Sequence, residues 1–218
     1  MFRALVPTSR NLAPKRIFLL TRTMASAQSL THAIKEDHQE MYEYYDNYKK
    51  AAGDLDAQAR WARQLTWEVA RHAVGEEIVV YPLMEKHLGT KGRALTDHDR
   101  DEHQHVKEML SKLESLAPGT DEYDQIIGPM MVSLRKHNDD EEIKDLPLLE
   151  PELGPDASKA AASQFSLTKK FVPTRAHPSA PNKPPFETLV GFLVAPIDKL
   201  KDAFAKFPTE EMEEAAKH

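Results

Sequence analysis

Six residues of this chain have the types and spacing for metal chemistry: His38, His72 and Glu76, then His103, His137 and Glu141. Each set reads His, thirty-three residues, then His-x-x-x-Glu, and the second follows the first at an offset of 65. Neutral imidazoles donate nitrogen lone pairs and a carboxylate can bridge two cations. Two such sets therefore describe a near-symmetric dinuclear site, one metal drawing mainly on each half. Histidine with carboxylate favours iron over metals that prefer soft ligands, and manganese or zinc accept the same donors. His-x-x-x-Glu puts its ends one helical turn, about 5–6 Å, apart on a single face.

The six residues belong to an internal repeat. RHAVGEEIVVYPLME (71–85) returns as KHNDDEEIKDLPLLE (136–150) with seven of fifteen positions identical, where unrelated segments would share about one. The same offset carries Glu36-Asp37-His38-Gln39 onto Asp101-Glu102-His103-Gln104. One His-x-x-x-Glu on an acidic helix is ordinarily a surface ion pair, and one inward His is ordinarily a hydrogen-bonded core residue. Six such groups on inner stripes are another matter: burying them without partners would cost several kcal/mol each, and a pair of divalent cations removes that cost.

Four amphipathic helices must position them. Over 29–52, Ile34, His38, Met41, Tyr45 and Tyr48 share one face, and Gly53 supplies a stop. Over 56–88 the stripe is Trp61, Leu65, Val69, His72, Glu76, Val79 and Leu83, with Gly89 after it and Pro82 expected to kink or end the helix. Residues 94–117 bring Leu95, His103, Val106, Leu110 and Leu113 inward and stop at Pro118-Gly119. Asp99, one turn before His103, reads as a capping partner of Thr96, with weak or water-mediated ligation as the alternative. Residues 121–145 contribute Tyr123, Ile127, Met130, Leu134, His137 and Glu141, with Pro129 distorting the first turns. Four helices with short connections predict an all-α, antiparallel up-down-up-down four-helix bundle over 29–150, with the metal centre in its core.

A C-terminal helical extension follows. Residues 151–185 read as a helix from about Pro155 to Phe171 and then a Pro-rich extended linker. Residues 186–218 carry a stripe of Phe186, Leu189, Leu193, Ile197, Leu200, Phe204 and Phe207, then a solvated tail. The stripe is expected to dock on the bundle, with a dimer or membrane-surface contact as alternatives.

Composition narrows the rest. There is no cysteine, which excludes a disulfide scaffold, thiolate ligands and a Cys nucleophile. The net charge of −6 combines +5 over residues 1–30 with −11 elsewhere, an acidic body ill suited to nucleic acid. No apolar run is long enough for a transmembrane segment. Residues 1–28 are Arg-bearing and free of acid, the pattern of a mitochondrial presequence; a dispensable extension ahead of a start at Met24 is the other reading. Localisation is then mitochondrial if the extension is translated and cytoplasmic otherwise.

The segments DHQEMYEYYDNY, RHAVGEEIVVYPLMEKHLG, EHQHVKEML and KHNDDEEIKDLPLLE resemble the hemerythrin-like, or HHE cation-binding, family in its fungal intracellular form. The resemblance covers 31–150. It implies a four-helix bundle with a non-haem di-iron centre, two oxo- or hydroxo-bridged irons. The implied ligands are His38, His72, Glu76, His103, His137 and Glu141, with Glu76 and Glu141 as bridges. The sequence departs from the oxygen-carrying hemerythrins where Asp99 stands for a third-helix His and where the fourth helix ends His-x-x-x-Glu. Iron–sulfur repair relatives are disfavoured, since their cysteine module is absent.

The expected function is binding or sensing of oxygen, nitric oxide or iron, the partner being a small diatomic ligand. The alternative is a di-iron enzyme acting on peroxide, nitric oxide or oxygen, with Tyr45 and Tyr81 as redox-active candidates or, more simply, packing residues. A structural protein with a vestigial site is a third reading. No catalytic motif beyond the metal site is visible, and no protein partner can be named. His87, His98, His105, His177 and His218 stand outside the repeated constellation.

Overall fold

The computed structural model describes residues 28–182 and 186–217, without the side chains of 186–192. The presequence reading, on 1–28, thus falls almost wholly outside the described residues. Among the described residues every regular element is helical: α1 (Leu30–Lys50), α2 (Leu55–Gly75), α3 (Tyr81–Leu113), α4 (Asp121–Asp140), α5 (Leu146–Thr168), α6 (Phe186–Asp202) and α7 (Glu210–Ala216). Ser29, Asp54 and Thr120 cap α1, α2 and α4 with side-chain oxygens that accept backbone N–H bonds. α1 lies against α2 and α3 against α4, as the short connections require.

Two π-helical turns, Glu76–Val80 and Glu141–Asp145, join α2 to α3 and α4 to α5. They begin at equivalent positions of the repeat, and Tyr81 N–H and Leu146 N–H donate five residues back to Glu76 O and Glu141 O. Pro82 and Pro147 follow each turn, at the second helical position. Proline there lacks an N–H and crowds the carbonyl four residues back; the wider turn lets the rod run on. Pro82, expected to kink or end the helix, therefore does not end it. The extra residue also shifts the phase of the stripe. Leu83 and Leu148 are only half-buried, while Met84 and Leu149 are each 1% exposed.

The rods end in register as well. Gly89 (φ 61°, ψ −128°) breaks α3 and Gly154 (φ 71°, ψ 168°) breaks α5, again 65 residues apart. Just past the first break, a Cβ on Gly92 would stand 2.1 Å from Met84 O, so only glycine allows this reversal.

The core has two apolar clusters. One gathers Met41, Tyr48, Trp61, Leu65, Tyr123 and Ile127; the other gathers Leu30, Ile34, Val80, Tyr81, Met84 and Phe165. The histidines lie on the helix segments between them.

Residues 172–182 have no regular structure, as their prolines predict, but they are not a free linker. Val172, Thr174 and Ala176 are buried against the bundle. The terminal tail, read as solvated, forms α7, capped by Thr209 and resting Met212 and Ala216 on the first cluster.

Candidate metal centre

All six sequence-predicted ligands meet in the layer between the clusters, none more than 2% exposed. Glu76 turns Oε1 to 3.1 Å from His72 Nε2 and Oε2 to 3.4 Å from His103 Nε2, so one carboxylate spans the two halves. Glu141 Oε2 lies 3.6 Å from both His38 Nε2 and His137 Nε2. The donor atoms form two groups sharing Glu76: His38, His72, Glu76 and Glu141, and Glu76, His103 and His137, with each group's atoms within 4.8 Å of one another.

A second layer fixes the rings. His38 Nδ1 bonds Glu142 at 2.9 Å, His72 Nδ1 bonds Asp37 at 3.1 Å, His103 Nδ1 bonds Glu77 at 3.2 Å and His137 Nδ1 bonds Glu102 at 3.0 Å. These four carboxylates obey the same offset of 65. Asp37 and Glu102 serve their own half, whereas Glu77 and Glu142 cross to the other. An ionised carboxylate only accepts, so each Nδ1 must carry the proton and each neutral ring presents a bare Nε2 lone pair to the centre.

That arrangement needs positive charge. His38 Nε2 and His72 Nε2 sit 3.2 Å apart, lone pair toward lone pair. Both oxygens of Glu76, Glu141 Oε2 and His137 Nε2 are buried without a hydrogen-bond partner. Orphaned acceptors at such density are costly unless cations lie among them. Two divalent ions fit this donor set, and His38, His72, Glu76, His103, His137 and Glu141 are the residues that would hold them. In the apo form protons must substitute. Burial pulls His72 down, but Glu76 and Asp37 outweigh it and raise it to about 9. Burial alone dominates at His137, lowered to about 4, and it pushes the Glu141 carboxyl well above its usual range, helped by Glu76.

Around this layer the halves differ. Asp99 is 2% exposed with Oδ2 unpartnered, and it groups with Glu102 and His137. Thr96 lies within α3 and gives its hydroxyl to Glu85 at 3.1 Å, so Asp99 is not its capping partner. Burial and then the charge of Asp145 raise Asp99 to about 8, and burial raises Asp145 to about 6. Tyr81 is fully buried and stacks on His103, its hydroxyl 3.3 Å from both ring nitrogens. Tyr45 stacks on Tyr48 in the apolar core instead. His87, His98, His105 and His177 enter no donor group, and His218 lies outside the described residues.

Two small cavities adjoin the centre. One, of ≈ 10 Å³, is walled by Val69, Ala73, Val106 and Leu134 and touches His72 and His103. The other, of ≈ 30 Å³, lies between Val74, Glu77 and the chain at Pro173–Pro181. Ala70 and Lys107 line both.

The carboxylates on Nδ1 are a feature that the sequence reading missed. Their signal is nonetheless present: Asp37/Glu102 flank the first His of each half, and Glu77/Glu142 are identical positions of the repeat.

The family described as Hemerythrin HHE cation binding domain matches residues 29–149, which include all six inner residues and all four outer carboxylates. The chain belongs to this hemerythrin-like, HHE cation-binding family. A hemerythrin-like protein of Schizosaccharomyces pombe (strain 972 / ATCC 24843) is 48% identical over 200 residues, 92% of this chain and 96% of the relative. An alignment of that length must run well past residue 149, so the yeast hemerythrin-like protein shares much of the C-terminal extension as well. No solved structure matches. Membership makes this a cation-binding helical domain, and the buried His/Glu layer is where cations can be held.

Proposed function

We propose that this hemerythrin-like chain is a non-haem di-iron protein that binds or senses oxygen or nitric oxide, or reports iron supply. The observation that carries the reading is a full His/Glu donor set bordering an apolar cavity of ≈ 10 Å³ at His72 and His103. That volume holds about one water-sized molecule and an apolar wall favours a diatomic over water. Iron held by this layer would supply redox change and an exchangeable coordination position. The protein's own part is to orient four rings through Nδ1, to bring two carboxylates between them, and to keep bulk water out with the two apolar clusters.

A second reading, a di-iron enzyme acting on peroxide, nitric oxide or oxygen, is favoured by Tyr81 alone. Burial raises its phenol well above the ordinary value, so it stays a neutral O–H donor beside His103. Steady turnover of peroxide that falls in Tyr81→Phe while metal content holds would support it.

The main reading is tested by metal analysis of anaerobically purified protein, with absorption spectra before and after air. Two irons per chain are expected, with near-ultraviolet bands that appear on oxidation and are absent in His137→Ala. Fewer than one tightly held metal per chain would overturn it, as would an iron spectrum indifferent to oxygen and nitric oxide.

A further inference from the structure

The described part of α6 is mounted back to front. An amphipathic helix on a globular protein normally buries its apolar stripe and leaves its charges in water. Here acids point inward beside the small apolar Val194 and Ala195. Asp198 is 0% exposed, accepting from Thr174 N–H at 3.2 Å and pairing with His177 at 2.9 Å. One turn on, Asp202 accepts from Arg175 at 3.3 Å. The opposite face turns outward: Leu193 is 65% exposed, Ile197 57% and Leu200 65%. Phe204, 85% exposed, extends the row, because Ala203 N–H still bonds Lys199 O and the helical turn continues.

At 100° per residue these four side chains fall within about 60° of one another, a continuous apolar edge. The exposed Lys201 lies on one flank. Lys199, about 100° further round the helix from Leu200, is exposed and reaches back to Lys170 O over the ring of Phe171, itself 53% exposed. The acids that would otherwise neutralise this rim, Asp198 and Asp202, are turned to the bundle.

We propose that the Leu193–Ile197–Leu200–Phe204 edge with its lysine rim is a docking surface for an anionic lipid bilayer. Charge selects this occupant. Beyond residues 1–30 the chain is acidic, at −11, so anionic lipid is drawn to that part only where basic side chains flank apolar ones. Such helices lie in the interface plane, apolar face down, with lysines flanking it and snorkelling to the headgroups. A second copy of the chain fits less well. It would set lysine against lysine, and one short row falls short of the roughly 20–30 residues a side that a stable interface uses. No helix among the described residues is long and apolar enough to cross a membrane, so the contact is peripheral.

The test is co-flotation of the full chain with vesicles of phosphatidylcholine alone and of phosphatidylcholine with phosphatidylserine. Binding to the anionic vesicles is expected, weakening with salt. Leu200→Ser/Phe204→Ser should lower it by at least about tenfold. Lys199→Glu/Lys201→Glu should abolish the preference for anionic lipid, with about a fivefold loss per lysine. All four side chains are exposed, and unchanged helical circular dichroism and metal content of the variants would show the bundle intact. Absence of vesicle binding overturns the proposal, as does binding that the serine pair leaves unchanged. A dimer that the serine pair dissociates, without vesicle binding by wild type, assigns the edge to self-association instead.

Discussion

The two halves of the repeat build the same inner layer and then part company. His38/His103, His72/His137, Glu76/Glu141, and the outer carboxylates Asp37/Glu102 and Glu77/Glu142 all correspond at one offset. Beyond them, Ile34 and Val80 of the first half are apolar and buried, whereas their counterparts Asp99 and Asp145 are buried acids with unpartnered oxygens. Tyr81 corresponds to Leu146, and Lys107, buried on Glu77, corresponds to Tyr42. The six inner residues and four outer carboxylates repeat across the halves; the surroundings differ, and they place two extra buried carboxyls, both raised above the usual carboxylate range, on the His103/His137 side. The two donor groups are thus alike in residue type and unlike in electrostatic setting.

The largest expected effect comes from what the halves share. Glu76 touches both groups of donors, so Glu76→Ala should empty both positions, whereas His38→Ala, on the first group alone, should leave the second partly occupied. Metal stoichiometry of the two variants checks this. Equal, complete loss in both would mean that the positions fill only as a unit.

Next is the charge pair that only one half buries. Lys107 Nζ lies 2.6 Å from both oxygens of Glu77, whose side chain is 0% exposed. The corresponding Glu142 pairs with Lys35 at 2.8 Å, with side chains 20% and 50% exposed. Removing one partner of a buried pair typically costs about 3–5 kcal/mol. Near the surface the figure is about 0–1 kcal/mol. Urea midpoints of Lys107→Ala and Lys35→Ala should separate accordingly, with His103 holding the first nearer the low end. Similar midpoints would show the second layer to be energetically symmetric after all.

What the sequence shows and what it hides follow from the range of the interactions. The six inner residues are legible because polar groups interrupt apolar stripes, a local pattern, and because the repeat states them twice. The π turns are not legible. A 3.6-residue stripe carries on through Glu76 to Leu83 on paper, and only the extra residue before Pro82 exchanges Leu83 for Met84. Glu142 is hidden by distance, since its partner His38 is 104 residues away. Asp99 invites misreading because a hydroxyl three residues back offers an easier local partner than an empty-handed burial. The prolines of 172–182 forbid helix but say nothing of Val172 and Thr174 being buried, and the stripe of α6 does not disclose which face docks.

The asymmetry can be erased with the repeat's own residues, Asp99→Ile and Asp145→Val. Both acids are raised in the folded chain, so folding takes up protons. Their contribution to apo stability is full below about pH 4 and is lost as pH rises, through about 6 for Asp145 and about 8 for Asp99. Between pH 6 and 8 Asp99 alone should cost about 1.4 kcal/mol per unit. Urea unfolding of the apo chain should therefore show stability falling across that window in wild type and a flatter profile in the double variant. A wild-type profile that rises from pH 6 to 8 would mean that Asp99 ionises freely and that the acid pair is not a charge store.

The smallest effect probes the outer carboxylates that the halves share but seat differently. Asp37 holds His72 and is itself held by Lys169, with its side chain 14% exposed. Glu102 holds His137 and pairs with Lys136 at 2.8 Å, with its side chain 23% exposed. Asp37→Asn and Glu102→Gln keep shape and a possible hydrogen bond but remove the charge that makes each imidazole a stronger donor. Losses of metal affinity of roughly 10–100-fold are usual for such partners. The wetter Glu102 should fall near the low end, because water can replace it on Nδ1, while Asp37→Asn would leave Lys169 facing a neutral amide in a drier place. Metal competition against a chelator reads both variants directly. A greater loss in Glu102→Gln would reverse the order and show that the acid-rich half, with Asp99 beside His137, depends on its outer carboxylate more than its burial suggests.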